Sequence, residues 1–286
     1  MLQHELIKST FQEEAPEITF SVISDLHIGA QKDIYSTHLE NALIDLNEAN
    51  PNAAALCIVG DITESGKDDQ YNHVKSILNT VQDQTIHMVL GNHDVRWQSG
   101  GYLEASERFK EQIGLSEVYY DQWIGGYHFI FLSTSDDLKD AATLSQEQLE
   151  WLKHQLKATS DTDPVFIFLH QSLVETSAGS YEVDGYNQSY PDGVVEDEAL
   201  RSILEQHPKI LFFTGHTHAV VDHPKTVNEI NGVHYINTGS VGYTLASEGY
   251  GVDNGSQGLC VDVYKDKIVI KGRDFVKKMW CQRWEI

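Results

Sequence analysis

Imidazole, carboxylate and carboxamide side chains gather at five places in this chain, and each place follows directly on an apolar run. Asp25-Leu26-His27 follows residues 18–23, Gly60-Asp61 follows 53–59, and Gly91-Asn92-His93-Asp94 follows 86–90. His170 follows 165–169, and Gly215-His216-Thr217-His218 follows 210–213. Nitrogen and oxygen donors without thiolate suit divalent Mn, Fe, Zn or Co and do not select among them. Taken singly, Asp-x-His or Gly-Asp is a common turn. Five such groups in order, each at the end of an apolar run, imply one metal site assembled from the whole chain.

Those runs must be the elements that position the donors. Each is short and rich in Ile, Val, Leu and Phe, the pattern of a buried strand. In open α/β sheets, ligands collect in the crevice beyond the carboxyl ends of the strands. Residues two apart at an extended strand end project to one face. Asp25 and His27 can therefore share an ion, as can His216 and His218 if that end stays extended. Helical periodicity covers 37–50, 68–81, 102–113 (stopped by Gly114) and 196–206, and Ser145 with Gln148 forms a capping box that opens a helix to about 157. Residues 127–132 read as a strand crossing from one sheet to another. Further short β-rich segments lie at 233–237, 258–263 and 267–271. A βαβαβ first half and an antiparallel-leaning second half suit two packed sheets with helices outside. Two stretches lack periodicity, 171–192 and 239–258, and long aperiodic stretches are expected to be functional loops.

Composition narrows the partners. The chain has 286 residues, 41% hydrophobic and 22% charged, as ordinary globular proteins do. One domain is expected over 1–286, since a split between Asp25 and His218 would separate donors that must meet. Its motif-bearing core covers 18–240, and 241–286 completes it. No apolar run approaches the roughly 20 residues that span a bilayer, and 1–14 carries no apolar signal region. A cytoplasmic location without a membrane partner is the expectation. Cys57, Cys260 and Cys281 are widely spaced and odd in number, which argues against a disulfide framework. The net charge of −23 opposes a long nucleic acid. A small anionic phosphoester remains open as substrate, because bound metal ions outweigh the global field locally.

The motif series D-x-H, G-D, G-N-H-[DE], H and G-H-x-H resembles the calcineurin-like metallophosphoesterases, and every element stands here without substitution. The resemblance covers about 18–240 and extends to the bacterial cyclic-nucleotide phosphodiesterase branch through the same motifs. It implies an α/β fold, a four-layer α/β/β/α sandwich of two mixed sheets, with two divalent metal ions. By motif position, Asp25, His27, Asp61 and His218 would hold one ion, and Asp61, Asn92, His170 and His216 the other. A carboxylate shared by two ions keeps them roughly 3.5–4 Å apart, and a water between them is deprotonated near neutral pH to become the nucleophile.

His93 is left over from the ligand sets and can protonate the leaving oxygen or steady transition-state charge. Asp94 either orients that imidazole or caps the following turn. Arg96 meets substrate phosphate or forms a surface salt bridge. Tyr181, Tyr186 and Tyr190, with Tyr243 and Tyr250, either wall a substrate pocket or pack on the sheet. The activity expected is hydrolysis of a small phosphodiester, a cyclic nucleotide among them. The alternatives are a phosphomonoesterase, a nucleotide or sugar-nucleotide pyrophosphatase, and, more remotely, a non-catalytic scaffold, against which the intact Asp61 and His93 argue.

Overall fold

The computed structural model describes residues 15–30, 34–79, 84–184, 192–245 and 252–286. Strand and helix alternate first, as β1 (Ile18–Ile23), α1 (Ile34–Ala49), β2 (Ala55–Val59), α2 (Asp68–Leu78) and β3 (Thr85–Val89). A four-residue helix α3 (Asn92–Val95) and α4 (Gly101–Ile113) lead to β4 (Tyr120–Ile124) and β5 (Tyr127–Phe131). Then come α5 (Gln146–Ala158), β6 (Val165–Phe168), α6 (Asp197–Leu204) and β7 (Ile210–Thr214). The remainder is β8 (Val227–Ile230), β9 (Val233–Asn237), the two-residue strands β10 (Thr244–Leu245) and β11 (Val252–Asp253), β12 (Gln257–Val263), β13 (Ile268–Asp274) and β14 (Met279–Glu285).

Two six-stranded mixed sheets result, in orders β14-β13-β12-β1-β2-β3 and β4-β5-β6-β7-β9-β8. Period-two alternation sets the layers. Phe20 and Val22 of β1, and Cys57 and Val59 of β2, face Phe166, Phe168 and Phe213 of the second sheet in one apolar cluster. On the outer face of the first sheet, Leu56 and Ile58 pack with Leu39, Leu43, Val74 and Phe109 of the helices. On the outer face of the second, Ile167 and Phe212 pack with Leu152 and Leu200 of α5 and α6. The order is helix, sheet, sheet, helix, as expected. Aromatic rings carry much of the central layer, with Phe131, Phe168 and Phe213 stacked at 4.9 and 5.1 Å.

Local signals end the helices where the sequence predicts. Ser145 Oγ accepts from Gln148 N at 3.1 Å at the start of α5, and Gly114, at φ 79°, closes α4 in the left-handed conformation that a Cβ disfavours. One expectation is corrected. β5 does not cross between sheets: it lies within the second, antiparallel to β4 and parallel to β6. From β8 onward the pairing is mainly antiparallel, as expected, in β8–β9 and β12–β13–β14, while β5, β6, β7 and β9 run parallel within the second sheet. Within 239–258, β10 pairs with β11. The three cysteines are free. Among the described residues no helix is long and apolar enough to cross a membrane.

Candidate metal centre

Parallel strands end at one edge, and the donors sit just past those ends. Asp25 and His27 follow β1, Asp61 follows β2 and Asn92 follows β3 in the first sheet, while His170 follows β6 and His216 and His218 follow β7 in the second. The loops are tied across the gap. Leu26 N and His27 N donate to Asp61 O at 2.8 and 3.0 Å, Gly215 N donates to His170 O at 3.0 Å, and His216 N donates to Asp25 Oδ2 at 3.1 Å.

The backbone there is not extended. Asp25, His27, Asp61, His216 and His218 all hold positive φ, between 47° and 68°. For non-glycine residues that conformation is uncommon and costs about 1–3 kcal/mol each, so the surrounding bonds must over-determine it. One consequence corrects the expectation for the last motif. The His216 and His218 rings do not share a face but diverge: His216 Nδ1 lies 3.1 Å from Asn92 Oδ1, and His218 Nε2 lies 3.1 Å from Asp25 Oδ1.

Among the described residues the motif donors form two adjoining groups, and His27, Glu64 and His93 form a further one beside them. In the first, Asp25, His27, Asp61 and His218 place one donor atom each within 4.8 Å of one another, all four buried. In the second, His170 Nε2 is 3.2 Å from Asn92 Oδ1 and 3.3 Å from Asp61 Oδ2. The same Asp61 oxygen lies 3.7 Å from His27 Nε2, so it faces both groups.

Outer partners fix what each ring offers. His170 Nδ1 donates to Val59 O at 2.7 Å, His218 Nδ1 to Tyr243 O at 3.0 Å, and His27 Nδ1 to Glu64 Oε2 at 3.0 Å. Asn92 Nδ2 donates to Lys139 O at 3.2 Å, which turns its oxygen inward. A neutral ring that donates from Nδ1 presents a lone pair at Nε2. His27 Nε2 and His218 Nε2 then face each other at 3.1 Å. The buried cluster is thus lined by acceptors, an arrangement that only cations or protons reconcile, and outward-donating histidines are the usual support of metal ligands.

Without metal, protons occupy that role. Burial opposes charge on His170, yet Asp61 and then Asp25 push it up to about 9. His27 is likewise raised against burial, chiefly by Glu64. Asp61, despite burial, is held well below the usual carboxylate range by His170. Burial and the neighbouring His170 lower His216 to about 4.

His93 stands beside the cluster, its ring 4.5 Å from that of His27 and edge-on to it. Its Nδ1 is 3.0 Å from Glu64 O and 3.5 Å from Glu64 Oε2, and its Nε2 touches Arg96 Nη2. Asp94 does not orient this imidazole. Its carboxylate instead accepts from Thr63 N at 2.9 Å, Thr63 Oγ1 at 2.8 Å, Ile62 N at 3.2 Å and Gly91 N at 2.9 Å, which clamps the β2 and β3 loops together. Arg96 also bonds Lys139 O and Asp140, so it is both an ion-pair member and a neighbour of the site.

The tyrosines divide. Tyr243 packs 4.1 Å from the His218 ring and stacks on Tyr35 at 5.6 Å. Tyr181 instead lies beneath Lys225 and beside Asn228. Tyr186, Tyr190 and Tyr250 lie outside the described residues. Glu64, Tyr35, Asp140 and Trp97 were not foreseen. Glu64 is three residues past Asp61 and Trp97 directly follows Arg96, so proximity to a motif was the signal each carried.

A family model described as calcineurin-like phosphoesterase matches residues 18–220. A probable glycerophosphodiester phosphodiesterase of Arcobacter nitrofigilis is 27% identical over 206 residues, covering 69% of this chain and 71% of that protein. A probable cyclic nucleotide phosphodiesterase of Rhodococcus erythropolis is 24% identical, with 65% and 62% covered. A 3′,5′-cyclic-nucleotide phosphodiesterase of Nostoc is 23% identical, with 81% of both chains covered. Among solved structures, the purple acid phosphatase PPD1 of yellow lupin superposes with a TM-score of 0.66 at 13% identity, over 94% of this chain and 53% of that one. GAP50, the anchor in the inner membrane complex of Plasmodium, gives 0.66 at 14%, over 94% and 88%. These two likenesses speak for the fold alone. Sequence match, layered sheets and buried donor cluster agree: the chain belongs to the calcineurin-like phosphoesterase family of metal-dependent phosphoric ester hydrolases.

Proposed function

We propose that this chain is a dinuclear phosphodiesterase acting on a small diester, with a cyclic nucleotide among its candidate substrates. The observation that carries the reading is the buried all-acceptor cluster in which one Asp61 oxygen faces two donor groups. In this reading Asp25, His27, Asp61 and His218 hold one ion, and Asp61, Asn92, His170 and His216 the other. Two such ions, when bound, would supply a nucleophile from water near neutral pH and offset charge on the phosphoryl oxygens.

The chain's own residues supply the rest. Glu64 steadies His27 and His93 together, through 3.0 and 3.5 Å contacts. With Nδ1 donating to Glu64 O, His93 Nε2 is the acceptor that Arg96 meets, and once it has taken up a proton in place of that contact it hands the proton to the departing ester oxygen as its bond to phosphorus breaks. Arg96, in contact with that nitrogen and paired with Asp140, positions the imidazole at the edge of the site. Asp94 is a positioning residue that holds the Asp61 and Asn92 loops in register.

A diester is favoured over a monoester by charge. A monoester carries two charges near neutral pH, and fixed cations around its terminal oxygens are the usual answer. Here Arg96 and Lys139, the cations at the Asn92 loop, both pair with Asp140. The phosphodiesterase names of the relatives support the same preference.

The test is kinetic. Mn-loaded protein is expected to bind two ions per chain and to hydrolyse bis(p-nitrophenyl) phosphate with higher kcat/KM than p-nitrophenyl phosphate. The opposite order by about tenfold or more, which is about 1.4 kcal/mol in transition-state preference, would move the monoesterase reading ahead. Folded protein that takes up no metal and turns over neither ester would be a scaffold.

A further inference from the structure

Trp97 takes no part in the apolar core. It is 61% exposed and belongs to none of the three apolar clusters of the described residues. Its φ of 65° is a left-handed conformation that bulky residues rarely adopt. Backbone strain of that kind persists where surroundings enforce it, and it concentrates at binding sites. The surroundings here are specific. The Arg96 guanidinium carbon lies 3.9 Å from the Trp97 ring centroid, and the His93 ring stands edge-on at 5.0 Å. Arg96 is in turn fixed by Asp140 and Lys139 O. The indole is therefore held, with Arg96 over its ring and most of its surface still exposed, beside His93, which groups with His27 and Glu64 at the edge of the buried cluster.

We propose that Trp97 is a platform for a planar ring on the departing ester group, so that the substrate is a diester with an aromatic, nucleobase-like leaving portion. The proposal rests on the phosphodiesterase reading, in which the group leaving from phosphorus sits on the His93 side. Every base has a π-face, so an indole surface selects for a ring without selecting its sequence identity. Tyr243 and Tyr35 lie further across the site, against His218 and His27, and are the wall for the part of the substrate that does not carry the ring. A glycerol-type diester has no ring to offer Trp97. The relatives are named for both kinds of substrate, and in this proposal the Trp97 platform favours the ring-bearing kind for this chain.

The experiment compares wild-type and Trp97→Ala proteins, both Mn-loaded, on 3′,5′-cyclic AMP and on the ring-free diester sn-glycero-3-phosphoethanolamine. Alanine bears the same left-handed backbone as tryptophan, and an exposed ring contributes little to the fold, so thermal stability should hold. Loss of one base–aromatic stack corresponds to roughly 5- to 150-fold. A fall of that order is expected in kcat/KM for cyclic AMP, with less than about twofold change on the glycero diester. Trp97→Phe should retain most of the cyclic AMP activity. Calorimetric titration gives an independent reading: Trp97→Ala should weaken 5′-AMP by a similar factor and leave inorganic phosphate unchanged. Equal losses on both diesters, or unaltered affinity for 5′-AMP, would overturn the platform. Wild-type protein that cleaves monoesters only would sink the diesterase reading instead, while the AMP titration still decides on Trp97.

Discussion

Gly91→Ala is the cleanest steric probe of the Asp61 carboxylate. Gly91 sits at φ −104° and ψ 173°, a region open to any residue, so the backbone itself does not require glycine. Space does. A Cβ there would lie 2.1 Å from Asp61 N and 2.2 Å from Asp61 Oδ1. Neither is the yielding end of a long side chain, since both belong to the short loop after β2. Relieving the contact needs a retreat of roughly 1 Å, and overpacking of this kind costs about 1–3 kcal/mol. The retreat must pull Asp61 Oδ1 from His93 N, now 2.9 Å away, and shift Oδ2 relative to both His27 and His170. A 1 Å misplacement of a catalytic group costs on the order of 10²-fold in rate. The expected result is a folded protein, slightly less stable by urea titration, with kcat/KM on bis(p-nitrophenyl) phosphate lowered about 100-fold and metal content below wild type. Metal content is read by mass spectrometry after gel filtration. Wild-type turnover with full metal in folded Gly91→Ala would refute the shared role of Asp61, because the carboxylate could then move without consequence.

Three further outcomes are expected. His93→Ala should lower kcat by about 10²–10⁴-fold with both ions retained; lost metal would make His93 a ligand. Asp45→Ala should cost about 3–5 kcal/mol in urea unfolding, since it strips the bidentate partner from Arg273, whose Nε and Nη2 lie 2.7 and 2.8 Å from a carboxylate only 1% exposed; a loss under about 1 kcal/mol would be that of an exposed pair. Metal uptake near neutral pH should expel a proton from His170, whose pKa Asp61 and Asp25 raise to about 9 against the pull of burial, and calorimetry in buffers of different ionisation enthalpy that detects no release would contradict it. The sign follows for metal-free stability too: the His170 contribution is complete below the ordinary value of 6.5 and is lost as pH rises through about 9.

The donors were legible because each polar residue follows an apolar run directly, so Asp25, Asp61, Asn92, His170 and His218 could be placed at strand ends without any knowledge of pairing. The central strands were legible for the same reason, since both faces of β1, β2, β6 and β7 are buried. What escaped is informative. β4 and β14 are sheet edges whose side chains are half-buried or exposed, so neither carries a continuous apolar signature. The helix α3 is a single turn, too short for any period. The divergence of His216 from His218 depends on left-handed φ values, which residue types do not announce. Asp94 shows the limit of motif proximity: its neighbour in sequence is His93, but its hydrogen bonds go to Thr63, Ile62 and Gly91.

The position of β1 has a consequence for how the chain acquires its shape. β1 pairs on one side with β2, a close neighbour in sequence, and on the other with β12, where Ile18 meets Val263. A ribosome delivers the Asp25 and Asp61 loops early, yet the strand that flanks β1 emerges near the end of synthesis. Contacts across such separations are slow to form, because the loop must close before any pairing energy returns. Until then one edge of β1 stands open, a surface that invites pairing with another chain. A truncation before β12 should therefore produce aggregated protein rather than a smaller soluble enzyme, even though it would leave all seven candidate metal ligands in the sequence.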